Sequence, residues 1–90
     1  MEVELLQVEP GQIISEYSVS DPDHMYTSYI VLRTSGYENQ CWLGLCLFNC
    51  AKDVRDKPGD TGHISKDWLV SLDVAKQKRW NTYWRVQNGR

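Results

Sequence analysis

Between Lys76 and Arg85 the chain interleaves cations with aromatic rings: Lys76-Gln77-Lys78-Arg79-Trp80-Asn81-Thr82-Tyr83-Trp84-Arg85. That pattern suits a surface for single-stranded nucleic acid, where bases stack on rings and cations meet phosphates. Lys76, Lys78, Arg79, Tyr83 and Arg85 are its candidate contacts. In a strand, Trp80, Thr82 and Trp84 share one face, while Asn81, Tyr83 and Arg85 share the other. The competing use is structural. A small domain needs its tryptophans as core, which leaves the charges as a solvated face.

Other reactive side chains are sparse. His24 follows the turn cluster Ser20-Asp21-Pro22-Asp23. Histidine changes charge near neutrality and can serve as acid or base, but a histidine in this position also reads simply as an exposed turn residue. His63 reads as a half-exposed strand residue. Cys41, Cys46 and Cys50 are odd in number and have no CxxC spacing. On one strand Cys41 and Cys46 point to opposite faces, which argues against a shared metal. Reduced, packed thiols and no cofactor are expected.

These residues need elements to hold them. The most apolar stretch is Cys41–Phe48, and both of its alternation sets are apolar. One set is Cys41, Leu43, Leu45 and Leu47; the other is Trp42, Gly44, Cys46 and Phe48. A strand of this kind is covered on both faces. One face is core; the other needs a helix, a terminal segment or a second copy of the chain. Around it the sequence predicts strands at Val3–Val8, Gln12–Val19 and Thr27–Thr34, and then the central strand Gln40–Phe48, paired antiparallel with its predecessor. Asn49–Gly62 reads as a polar, turn-rich loop. Next come a turn at Ser65–Trp68, a strand near Leu69–Asp73 and a helical turn over Val74–Arg79, with Asn81–Gln87 closing the sheet.

Ninety residues make one domain, 1–90, with a small core. A hydrophobic content of 41% argues against disorder. No stretch approaches the roughly 20 apolar residues of a membrane helix. Met1-Glu2-Val3-Glu4 has neither a basic region nor a signal-length apolar run, so a cytoplasmic location is expected. The net charge of −2 conceals an asymmetry. Residues 1–32 carry Glu2, Glu4, Glu9, Glu16, Asp21 and Asp23 and no Lys or Arg; residues 74–90 carry Lys76, Lys78, Arg79, Arg85 and Arg90 and no acid. Such a dipolar chain can steer an anionic partner to its basic end, or its two faces can attract each other within the fold or between copies. The fold class expected is all-β (β-rich α+β): a small, partly open barrel of about five to six antiparallel strands with a short C-terminal helical segment.

Three segments resemble the PemK/MazF family of toxin endoribonucleases, which are SH3-like barrels. Pro10-Gly11-Gln12-Ile13 is similar to the family's opening strand. Ser20-Asp21-Pro22 with His24, followed by Tyr29–Leu32, is similar to its Asp-Pro loop, histidine and next strand. Thr61-Gly62-His63-Ile64-Ser65-Lys66-Asp67-Trp68, continuing to Asp73, is similar to its late strand with a central Asp. The resemblance spans roughly residues 10–80 in the family's order.

The resemblance implies an SH3-like barrel, a homodimer and metal-independent RNA cleavage. That reaction needs a base for the 2′-hydroxyl, an acid for the leaving oxygen and positive charge at the phosphate. Asp67 and His24 match the family's acid–base positions. Ser28-Tyr29 stands where the family usually has Arg-Pro, Ser65 where some members carry an Arg, and Phe48-Asn49 where a Thr/Ser closes the central strand. Lys66 is the nearest stand-in for the arginine, although a lysine does not reproduce its bidentate geometry. The expectation is therefore a protein that cleaves or only binds single-stranded RNA, in a groove of the Asp21–Tyr26 loop, Asp67 and the basic tail. The alternative is a non-enzymatic inhibitor or adaptor of phage or plasmid type, acting on a protein partner. Such a partner would be an antitoxin or a target enzyme.

Overall fold

The computed structural model describes residues 4–36, 40–50 and 57–87 of the chain. Five antiparallel strands form one open sheet: β1 (Ile13–Ser18), β2 (Met25–Ser35), β3 (Cys41–Asn49), β4 (Thr61–Ser65) and β5 (Thr82–Gln87), ordered β4-β3-β2-β1-β5. A 3₁₀ turn, Lys66–Trp68, and one helix, α1 (Leu72–Lys78), lie between β4 and β5. The expected β-rich fold with a short C-terminal helix is present. Among the described residues no helix is long and apolar enough to cross a membrane.

The central strand carries the core on one face only. Ile14, Tyr29 and Cys46 stand in register across β1, β2 and β3, and all are buried. Val31, Ile64, Leu69 and Trp84 complete the cluster, with Leu6, Val8, Trp42 and Val86 packed against it. Gly44 makes room here for side chains of the two adjacent strands, Ile64 on β4 and Tyr29 on β2. A Cβ at this position would stand 2.8 Å from Ile64 Cδ1 and 3.1 Å from Tyr29 Cβ. The opposite row, Ile13, Ile30 and Leu45, is only half-buried. Two β-bulges leave Leu32 and Leu47 as the extra residues of their strands, and both are exposed, as is Phe48. The cover expected over this second face is thus incomplete among the described residues.

Several expected elements are corrected. Residues 4–9 are irregular rather than a first strand. Leu6 N–H donates to Leu69 C=O at 2.8 Å, while Leu6 and Val8 pack on the core; Val3 lies outside the described residues. Leu69–Asp73 is not a strand. Leu69 and Val70 are buried connection, and Ser71 caps α1 through its Oγ, which accepts from Val74 N–H. Alternating apolar residues suggested a strand there because two consecutive residues are buried just ahead of a short helix. The loop expected over Asn49–Gly62 ends early, since β3 runs to Asn49 and β4 begins at Thr61; residues 51–56 lie outside the described residues. The turn expected at Ser65–Trp68 is present as the 3₁₀ turn, with Ser65 as its cap.

Gly44→Ala is expected to destabilise the protein by about 1–3 kcal/mol, because Tyr29 Cβ belongs to the backbone-fixed part of its side chain. Urea unfolding checks this: the midpoint should fall while the slope stays constant.

Candidate functional site

The chain folds three of its four tryptophans, Trp68, Trp80 and Trp84, around a shared groove. After α1, Arg79 adopts the left-handed conformation (φ 59°, ψ 35°), and its N–H bonds back to Lys76 C=O. Trp80 N–H then donates to Ala75 C=O at 2.9 Å, which folds the Trp80 ring back toward the body. A non-glycine residue in this region costs about 1–2 kcal/mol, so the Arg79 side chain sits on a strained backbone beside the groove. On the other side, Trp84 N–H donates to Val70 C=O at 3.0 Å. That bond brings the Lys66–Trp68 turn close to β5.

The result is a central hollow of about 520 Å³ walled by Trp68, Trp80 and Trp84, with Glu16, Arg79, Asn81 and Thr82 completing it. Among the described residues Trp68 is the most exposed large apolar side chain, at 54%. Glu16 is held in place, its Oε2 accepting from Thr82 Oγ1 at 2.9 Å. Trp68 and Trp80 also line a second hollow with Leu5, Asp67 and Lys78. Trp80 and Asn81 line a third, which reaches Ser20 and Tyr26. Lys78 Nζ lies 4.4 Å from the centre of the Trp80 ring, a cation–π contact that leaves Trp68 as the more open stacking surface.

The structure distributes the expected site residues unevenly. Arg79 lines the central hollow and Asp67 and Lys78 the second, with Trp68 and Trp80 common to both. Lys76 is exposed on α1 and lines none of the three hollows. Tyr83 is buried and stacks on Tyr17 with centroids 5.8 Å apart, so it serves as core rather than as a base platform. Arg85 is already engaged. Its guanidinium lies over Tyr17 at 4.1 Å and donates to Tyr83 Oη at 2.6 Å and to Pro22 C=O at 3.2 Å. It therefore fastens the Asp-Pro turn to β5.

The three residues expected to be catalytic do not assemble. Asp67 Oδ atoms make no hydrogen bond or ion pair with His24 or Lys66; its backbone N–H caps onto Ser65 Oγ. Lys66 Nζ lies over the Trp42 ring at 4.1 Å. His24 is packed edge-on against Tyr26, and its Nε2 is 3.9 Å from Cys50 Sγ. His63 is exposed on β4, with Nδ1 2.9 Å from Ser35 Oγ. Among the described residues no three His, Cys, Asp or Glu side chains cluster as metal ligands.

Trp68 and Glu16 line the groove from outside the basic, aromatic stretch that supplied the candidate contacts: Trp68 ended an expected turn, and Glu16 stood in a block of acids. The sequence signal that could have raised Trp68 is a large ring directly beside the candidate Asp67. No protein family, curated protein or solved structure matches this chain.

Arg79→Gly should relieve the left-handed backbone and raise stability by up to about 1 kcal/mol, while removing the guanidinium from the groove. Thermal unfolding measures the first effect, and a fall in melting temperature would show that the Arg79 side chain stabilises the fold.

Proposed function

We infer that this is a small single-stranded RNA-binding protein of PemK/MazF-like type, which holds RNA in the tryptophan groove without cutting it. The observation that carries this reading is the exposed Trp68 ring beside Trp80, flanked by Lys78 and Arg79. A base stacks on Trp68, and the two cations meet adjacent phosphates. Lys76, on the same basic stretch, adds attraction at longer range. Cleavage would require a base, an acid and a cation converging on one phosphate. Asp67 lies in the groove, but Lys66 and His24 are engaged elsewhere. Binding needs none of that convergence.

Titration of the protein with an unstructured RNA oligonucleotide tests this reading through quenching of tryptophan fluorescence. Trp68→Ala should weaken binding about 5- to 150-fold, the equivalent of about 1–3 kcal/mol for one stacked base. With two or three phosphate contacts, log K should fall with log salt at a slope of about −1.4 to −2.1. RNA incubated with the protein in EDTA should stay intact. Cleavage that Asp67→Ala abolishes would restore the enzyme reading, and an absence of RNA binding at low salt would overturn the reading altogether.

A second reading rests on a different observation. Leu32, Leu47 and Phe48 are 42%, 44% and 40% exposed beside the half-buried Ile13, Ile30, Leu43 and Leu45. This apolar face supports a homodimer in which two copies cover each other, and a protein partner such as an antitoxin or target enzyme would compete for it. Sedimentation should show a dimer that Leu47→Glu converts to monomer with its fold intact. A wild type that stays monomeric at high concentration would leave the face to a different protein.

A further inference from the structure

Of the three cysteines, Cys46 is buried, Cys41 is half-buried and Cys50 is exposed. Cys50 stands one residue beyond the end of β3, and its Sγ is 3.9 Å from Nε2 of His24, one residue ahead of β2. Because β2 and β3 run antiparallel, the entry to one lies beside the exit from the other. Both backbones are tied down. Cys50 N–H donates to Tyr26 C=O at 2.9 Å, His24 N–H donates to Asp21 C=O at 2.9 Å, and His24 C=O accepts from Ser18 N–H at 3.1 Å. The imidazole packs edge-on against Tyr26 with centroids 4.7 Å apart. Thiol and base are therefore brought together by residues 26 apart in sequence and held by the sheet.

We propose that Cys50 is a nucleophilic thiol activated by His24, and a site of reversible S-thiolation by low-molecular-weight disulfides. His24 Nε2 takes the thiol proton, and the thiolate is the attacking species. It attacks one sulfur of the small disulfide, and a new S–S bond forms as the old one breaks. The departing thiolate takes up a proton, which the imidazolium can return, so no other oxidant is consumed. Among the described residues, the other ionisable groups around the pair are Tyr26 against the ring, Asp21 and Asp23 in the preceding turn, and Arg85, which reaches that turn at Pro22 C=O. This site is separate from the tryptophan groove and does not depend on RNA binding. It also gives His24 a role other than RNA cleavage.

Reaction of the full chain with 4,4′-dithiodipyridine, followed by absorbance and located by peptide mass mapping, tests the proposal. The first equivalent should fall on Cys50, and Cys50→Ser should lose the fast phase while keeping its circular dichroism spectrum. At pH 7, His24→Gln should slow modification of Cys50 roughly tenfold. At pH 10, where hydroxide removes the proton unaided, wild type and variant should react alike. First modification at Cys41, or equal rates at pH 7, would overturn the proposal. So would a deficit that persists at pH 10, since His24 would then act on access alone. Should His24→Gln fold poorly, His24→Asn takes its place, and the same comparison with wild type at pH 7 and pH 10 decides.

Discussion

One backbone hydrogen bond, Trp84 N–H to Val70 C=O, holds together the part of the molecule with the most chemistry. It occupies the outer edge of β5 and draws the chain leaving β4 across the end of the sheet. Leu69 and Val70 are buried as a result, and Leu69 C=O in turn receives the N–H of Leu6. The N-terminal segment, the 3₁₀ turn and β5 are thereby joined without a sixth strand. The two packing groups, one around Ile14 and Trp84 and the other around Tyr17 and Tyr83, lie on opposite sides of the β1–β5 ribbon because residues alternate along each strand. The Val70–Trp84 junction links them. The tryptophan groove opens at the same junction, so its walls depend on a tie that local sequence preference does not encode.

Much of the sheet was legible in the sequence. β1, β2, β3 and β5 appear within a few residues of their expected limits, because period-two alternation and the Pro-Gly and Asp-Pro turns are local signals. The antiparallel β2–β3 pairing followed from the short connection between them. The helical turn expected over Val74–Arg79 overlaps α1, but Leu69–Asp73 was misread as a strand for a physical reason: tertiary contacts bury Leu69 and Val70 outside any regular element, and the helix that follows is only seven residues long. In a helix this short, apolar periodicity cannot be told from that of a strand.

The site was legible in part. Composition pointed to the basic, aromatic tail, and Lys78 and Arg79 do line the groove. Composition could not say which rings face water. Tyr83 and Trp84 are buried, while Trp68, from a different element, is open. Nor could it assign partners to cations. Arg85 bonds to a carbonyl 63 positions away, a contact that exists only once β5 lies beside the turn entering β2. His24 and Cys50 meet for a similar reason, through antiparallel pairing rather than any spaced motif.

The two margins of the sheet differ in what they can accept. At β5 a further strand would have to displace Val70 from the middle of the ladder. At β4 the described residues show no backbone partner beyond β3, and the strand is five residues long. Among the described residues, strand addition is thus directional, with β4 as the open margin. Two molecules joined through β4 would occupy each other's open margin, so such pairing would end at two copies rather than propagate into a fibre.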